Sequence, residues 1–328
     1  MYKQFYNLRR NPFEITPDPT FLFPTKRHNE ALASLYYGVQ RHKGFVVLTG
    51  EVGTGKTLLL RCLLRLLERT HVAYAYVFNG RLSPVEFLQY VVGDFGLAAS
   101  NKSKSELLLE LAAYVIARSQ KNLTTVLVVD EAHHLSVDVL EEIRLLTNLE
   151  TAQAKLLQIL LVGQPELDDK LDSIGLRQLK QRIALRSQLA SLDLRETTGY
   201  IERRLQLAGA NSQASTLFPA ETIAAIYRHS RGIPRLINTV CENALIAAYA
   251  KQLQSVTPDI VEEIATDFRL GVVCSSESEN PKPLDETDVR RAAQTLLDVY
   301  ASLQKPAFRK SELRSAITAR VSKHESYI

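Results

Sequence analysis

The run Gly50-Glu51-Val52-Gly53-Thr54-Gly55-Lys56-Thr57, followed by Leu58, fits the pattern GxxxxGK[ST] without a mismatch. Glycines at these places let a backbone curl until successive N–H groups face one phosphate, at the positive end of the next helix. Lys56 is then placed to reach the β- and γ-phosphates of a nucleotide, ATP in this reading, and the Thr57 hydroxyl to bind Mg2+. A chance glycine-rich turn needs no particular flanks. Here the apolar run FVVLT leads in and LLLRCLLRLLER leads out, the strand and helix that a phosphate loop requires.

A second constellation, Val126-Leu127-Val128-Val129-Asp130-Glu131-Ala132-His133, ends an apolar run in two carboxylates. Ligands of open α/β sheets bind at the carboxyl ends of strands, where this pair falls. Asp130 is read as holding Mg2+ through its water shell and Glu131 as polarising the attacking water. Two adjacent carboxylates also suit the start of a helix, where negative charge is favoured. His133 and His134 suggest a metal, but neighbours on a strand–helix turn diverge, so both are read as structural or supporting.

Three further candidates lie downstream. Gln164, in Val162-Gly163-Gln164-Pro165, leaves a strand end and is either a contact for the γ-phosphate or lytic water, or a polar turn residue. The stretch Arg177-Gln178-Leu179-Lys180-Gln181-Arg182 is too remote to be placed on its own phosphate loop. A cation there would complete a neighbouring subunit's site, unless it is an ordinary exposed helix residue. Arg235 falls in the first turn of a helix, where a cation is disfavoured unless an anion lies nearby; a phosphate would supply one.

The elements that must position these residues follow from periodicity. Short apolar runs at Phe45–Thr49, Val72–Phe78, Thr125–Val129 and Leu156–Val162, with a noisier one at Ala184–Leu192, suit strands buried on both faces of a parallel sheet. Helical patterns alternate with them near 28–41, 56–69, 84–96, 105–119 and 136–148, which indicates a doubly wound α/β fold. Past about Leu194 the strand signal stops, and helices follow near 195–208, 219–230, 233–251 and 258–268. The expected organisation is an N-terminal segment 1–43, an α/β nucleotide-binding domain 44–193 and a small all-helical lid 194–271. A linker at 272–285 and a C-terminal helix and basic tail at 286–328 complete it.

Composition is that of an ordinary globular protein, with 328 residues, 45% hydrophobic and 23% charged. No apolar run approaches the ~18–20 residues of a membrane span, and the polar, aromatic N-terminus lacks the core of a signal peptide. A cytoplasmic location is expected. Three cysteines without a CxxC pair argue against disulfide or zinc frameworks. The net charge of +4 does not by itself imply nucleic acid. Lys305, Arg309, Lys310, Arg314, Arg320 and Lys323 against only Glu312 make a basic tail, which suits acidic lipid, nucleic acid, an acidic partner or simple solvation.

With the phosphate loop, DEAH, GQPEL and RGIPR in that order, the chain resembles the AAA+ ATPases. More narrowly it resembles the ExeA/GspA group, which includes MshM-like and exosortase- or exopolysaccharide-associated ATPases. FYNLRRNPFEITPDPTFLF, HNEALASLYYGV, LEEIRLLTNLET and KLLQILLVGQPEL carry the likeness, over about residues 1–270. The resemblance implies a P-loop NTPase with a helical lid that hydrolyses ATP with Mg2+ as a homo-oligomer, ring or filament. By it Gln164 takes the sensor 1 position, Arg235 sensor 2, and Arg182 the arginine finger, with Arg177 and Arg186 as alternatives. The segment Pro12 to His28 would wrap the adenine, with Tyr37 or Phe13 packing on it. Many such ATPases carry Asn at sensor 1, where this chain has Gln.

The implied role is to energise or switch a cell-envelope export or assembly system, with an envelope partner protein and peripheral contact at the inner membrane. The alternative is a DNA-associated regulator of the replication-initiator or transposition type. A third reading is an adaptor whose ATP-bound shape matters more than hydrolysis. Secretion members continue into a transmembrane helix and a peptidoglycan-binding domain, neither of which this sequence shows, so direct action on the cell wall is not expected.

Overall fold

The computed structural model describes residues 2–270, except 79 and 211–213. The expected linker, C-terminal helix, basic tail and Cys274 lie outside the described residues. In chain order the elements begin with α1 (Tyr2–Phe5), α2 (Lys26–Gln40), β1 (Phe45–Gly50), α3 (Lys56–Leu67), β2 (Ala73–Val77), α4 (Pro84–Asp94) and α5 (Lys104–Gln120). Next come β3 (Thr125–Val129), α6 (Val137–Leu146), β4 (Leu157–Gly163), α7 (Glu166–Leu171), α8 (Arg177–Lys180) and β5 (Leu185–Leu189). The helices α9 (Leu194–Ala208), α10 (Ala214–Leu217), α11 (Ala220–Ser230), α12 (Pro234–Ala250) and α13 (Pro258–Asp267) follow.

The five strands are parallel, in the order β2-β3-β4-β1-β5. Alternation along each strand sorts its side chains between two layers. Phe45 and Val47 pack with Phe87, Leu111 and Ile143 from α4, α5 and α6. Val46 and Leu48 pack instead with Leu35 and Val39 of α2 and Leu59 to Leu67 of α3. Both faces are thus covered, which accounts for the unbroken burial and mostly apolar residues of β1, β3 and β4.

The two edge strands differ, and both are shorter than the sequence pattern suggests. β2 pairs only with the five residues of β3, leaving Phe78 exposed beyond it. β5 pairs only with β1. Its Leu185 and Leu189 face the α2 layer, whereas Arg186 and Gln188 are exposed on the opposite, uncovered face. That half-covered edge is why its pattern reads as noisy.

A separate apolar cluster lies among α9 to α13 and includes Ile201, Phe218, Ile226, Val240 and Val261. The N-terminus belongs to it: Tyr2, Tyr6, Leu8 and Phe13 are buried there. Tyr2 donates to the Glu242 carboxylate at 2.8 Å, and Tyr6 donates to the Leu253 carbonyl at 2.9 Å. The segment 1–43 is therefore divided, its start joined to the helices and α2 packed on the sheet.

One glycine fixes how α12 meets the sheet. Gly232 has φ +72°, and a Cβ on it would lie 1.8 Å from the Leu192 carbonyl oxygen. Leu192 N–H in turn donates to Gly232 O at 2.9 Å, tying the segment after β5 to the turn before α12. Gly232→Ala must both clash with backbone and hold a left-handed conformation, so we expect it to lower unfolding stability by roughly 2 kcal/mol or more. Urea denaturation measures this; a loss below about 0.5 kcal/mol, typical of an unconstrained surface site, contradicts the close approach.

Candidate functional site

The loop between β1 and α3 is shaped by Gly53 at φ +82° and Gly55 at φ +101°. α3 starts at Gly55 with no side-chain cap, so its first N–H groups keep the orphan character that suits an anion. Lys56 is buried, with Nζ donating to the carbonyls of Gly50 at 2.7 Å and Glu51 at 2.9 Å. Burial pulls its pKa below the ordinary lysine value, while Glu131, Asp130 and Glu51 act against that shift.

The acidic pair leaves β3 beneath this loop. Thr57 donates its hydroxyl to Asp130 Oδ2 at 3.0 Å, and Tyr76 of β2 donates to the same oxygen at 2.7 Å. The Glu131 N–H donates to Asp130 Oδ1 at 2.9 Å. Asp130, only 5% exposed, is therefore held by three donors. Burial and the Asp130 charge keep the Tyr76 phenol protonated far above its ordinary range. Tyr76 is a site residue that the sequence reading missed; its place on an alternating strand two residues from Tyr74 carries no motif.

Glu131 has φ +52°, an uncommon left-handed conformation for a glutamate, which turns its side chain away from the strand direction. It lines a cavity of about 390 Å3 with Gly53, Gly55, Lys56, Thr57 and Leu58. Ile15, Thr16 and Pro17 close one side; Tyr200, Arg204, Pro234, Arg235 and Asn238 close another. Arg235 N–H donates to Gly53 O at 3.2 Å, so α12 begins directly on the phosphate loop. Its guanidinium is exposed and makes no hydrogen bond or ion pair among the described residues.

The N-terminal segment contributes differently from expectation. Phe13 is fully buried against Phe218, and Tyr37 is exposed beside Lys43; neither lines the cavity. Ile15, 58% exposed, lines the cavity instead. Arg204, also unforeseen, is buried with its guanidinium between Phe21 and Tyr200, at 4.8 and 5.0 Å from the ring centroids, and donates to Pro12 O at 2.7 Å. His28 reaches the loop itself: its Nε2 lies 3.1 Å from Thr54 O and its Nδ1 2.7 Å from the Thr25 hydroxyl. A carbonyl only accepts, so Nε2 carries a proton, and burial favours the neutral form of the ring.

Gln164 emerges from β4, whose Gly163 pairs with Thr49 one residue before the phosphate loop. Its amide Nε2 is 2.9 Å from His133 Nε2. The arginines near β5 are unequal. Arg182 donates to Thr147 Oγ1 at 2.8 Å and Asn148 Oδ1 at 2.6 Å, and Arg186 pairs with Asp168 at 2.8 Å. Arg177 is exposed, and its guanidinium makes no hydrogen bond or ion pair among the described residues.

A curled glycine loop at the end of β1, an acidic pair at the end of β3 on the far side of β4 and a helical cap over both define a P-loop nucleotide-binding protein of the AAA+ type. Residues 39–171 match the family described as AAA domain. Over 252 residues the chain is 45% identical to general secretion pathway protein A of Aeromonas hydrophila, covering 76% of this chain and 45% of that protein. This AAA+ module belongs to the ExeA/GspA family, and the chain spans a little under half the length of that relative. Among solved structures, the Aeropyrum pernix ORC2 protein in ADPNP–ADP complexes superposes with a TM-score of 0.60 at 19% identity, over 79% of this chain and 71% of that one. Cdc6p from Pyrobaculum aerophilum gives 0.59 at 17% identity, over 76% and 71%. These likenesses are of fold.

Burial holds the His28 pKa below its ordinary value of 6.5. The unfolded chain therefore takes up a proton near pH 6.5 that the native ring resists, so stability falls as pH drops below about 6.5. His133 is shifted the same way, by burial and the adjacent His134. We expect His28→Gln to flatten, but not abolish, the loss of unfolding free energy between pH 7 and 5 in urea titrations. An unchanged slope contradicts the buried neutral ring.

Proposed function

We propose that this chain is a Mg2+-dependent ATPase that works as a homo-oligomer to energise or switch a cell-envelope export or assembly system. The supporting observation is the convergence of Lys56, Thr57, Glu131 and Arg235 on one cavity, with Asp130 bonded to Thr57 beneath it. The residues fit the ligand: the left-handed glycines leave a backbone cradle, the uncapped α3 faces it, and two hard oxygens sit together on Thr57 and Asp130. Lys56 and the loop N–H groups bind phosphate. Thr57 and Asp130 hold Mg2+, which supplies positive charge to the phosphate oxygens. Glu131 accepts the proton of the attacking water, while Gln164 and Arg235 contact the γ-phosphate.

In this reading residues 194–271 form a lid over a nucleotide-binding domain of residues 44–193, with 1–43 strapped across both. A neighbouring subunit supplies a cation in trans. Arg177 fits that task better than Arg182 or Arg186, because it is exposed and has no side-chain partner to release among the described residues. The envelope role, with a cytoplasmic protein acting beside the inner membrane, draws on the secretion relative, of which this chain spans 45%. No helix among the described residues is long and apolar enough to cross a membrane. The likeness to origin-recognition folds, at 19% identity and below, brings no DNA partner with it.

Two measurements test the reading. Lys56→Ala should weaken ATP binding at least tenfold, whereas Glu131→Gln should keep binding and lose about 100-fold or more in steady-state hydrolysis; wild-type turnover by Glu131→Gln contradicts it. At concentrations where the chain self-associates, Arg177→Ala should slow turnover by roughly 100-fold or more, and mixing it with Glu131→Gln should restore activity at composite interfaces. No rescue on mixing, with both variants folded and associated, argues against a cation in trans.

A further inference from the structure

His133 stands between the two residues assigned to the γ-phosphate and the attacking water. Its Nε2 is 2.9 Å from the Gln164 side-chain amide nitrogen, and its Nδ1 is 3.4 Å from Glu131 Oε2. The backbone N–H of Gln164 also points at Nδ1, again at 3.4 Å. The turn that carries His133 is firmly held. Lys170 of α7 donates to the carbonyls of His133 at 2.6 Å and Leu135 at 2.8 Å, and the His134 ring lies against the His133 ring at 3.9 Å. The main chain that carries the imidazole is thus fixed, and the bonds its ring makes depend on which nitrogen bears the proton.

A neutral imidazole donates from one nitrogen and accepts at the other, which leaves two arrangements. In the first, Nδ1–H points at Glu131 Oε2, Nε2 accepts from the Gln164 NH2, and the Gln164 amide oxygen is turned outward, at the cost of setting Nδ1–H against the Gln164 backbone N–H. In the second, Nε2–H donates to the Gln164 amide oxygen and Nδ1 accepts from the Gln164 backbone N–H. The Gln164 NH2 is then turned outward, and Glu131 has no donor from the ring. Glu131 Oε2 is buried and makes no hydrogen bond with good geometry, so the carboxylate is weakly held even in the first arrangement.

We propose that His133 is a tautomeric switch that couples the orientation of the Gln164 amide to the freedom of Glu131. This rests on the ATPase reading of the site and adds its regulation. A phosphate oxygen accepts hydrogen bonds, so it selects the arrangement with the Gln164 NH2 outward. That arrangement withdraws Nδ1–H from Glu131 and leaves its carboxylate free to take a proton from water. With a diphosphate, the outward amide oxygen is tolerated and Nδ1–H occupies Glu131. The exchange balances: one proton leaves Nδ1, one arrives at Nε2 through water, and the ring stays neutral. His133 is thus a positioning residue, acting through Gln164 and Glu131.

The test is the 15N NMR spectrum of the His133 ring in the wild-type chain, which distinguishes the two tautomers without any turnover. We expect the Nδ1–H form with Mg·ADP and the Nε2–H form with Mg·ADPNP. The same tautomer in both states, or a doubly protonated ring, overturns the proposal and leaves the ATPase reading intact. Kinetics give an independent check. His133→Ala should keep ADP affinity within about twofold and lower kcat by 10- to 100-fold. Adding Gln164→Ala should then cost less than a further twofold, because the two residues act as one unit. Full multiplicative losses in the double variant also overturn the coupling. If Glu131→Gln turns over at the wild-type rate, the ATPase assignment fails instead.

Discussion

A phosphate loop is backbone with few side chains of its own to hold it, so its curl must be imposed from outside. Here three elements impose it. The carbonyls of Gly50 and Glu51 take the Lys56 ammonium, the Thr54 carbonyl takes His28, and the Gly53 carbonyl takes the N–H of Arg235. These ties come from α3, α2 and α12, so sheet, strap and helical lid meet on a few consecutive peptide groups. Gly53 makes the meeting feasible, since a Cβ there would lie 2.6 Å from that of Arg235. The rest of the architecture serves to bring these three helices to one strand end.

The same economy governs the acidic pair. Asp130 is anchored by donors from the loop helix, the neighbouring strand and its own chain, whereas Glu131 next to it is left with a buried oxygen lacking a good partner. Adjacent carboxylates thereby acquire opposite characters. One is fixed and suited to holding a cation. The other is under-bonded and suited to receiving a proton. The left-handed backbone at Glu131 breaks the alternation of β3, which would otherwise send the two adjacent side chains to opposite faces of the sheet.

Much of this was legible in the sequence. The loop motif, the strand–carboxylate run and the switch from alternating to helical periodicity near Leu194 name the sheet layer and the principal candidate residues that line the cavity or lie beneath it. What remained hidden has a common cause: it depends on contacts between parts distant along the chain. Tyr76 meets Asp130 54 positions away, Arg204 meets Pro12 192 away, and His28 meets Thr54 26 away. None sits in a local pattern. Phe13 was misread for the same reason, as its fate was decided by Phe218 rather than by its proximity to the loop. The proposed preference for Arg177 over Arg182 and Arg186 likewise turns on partners in α7 and the turn after α6, which spacing cannot reveal.

The division of the N-terminal segment has a mechanical meaning. Residues 2–13 are rooted among the lid helices, α2 is rooted on the sheet, and the stretch between them borders the cavity at Ile15 to Pro17. Arg61 of α3 grips the Pro17 carbonyl at 2.6 Å midway along it. The chain's first forty or so residues therefore behave as a belt buckled at both ends across the cleft it closes. Tension applied to the belt is felt at the mouth of the cavity, and any displacement of the lid is carried back along it toward the extreme N-terminus.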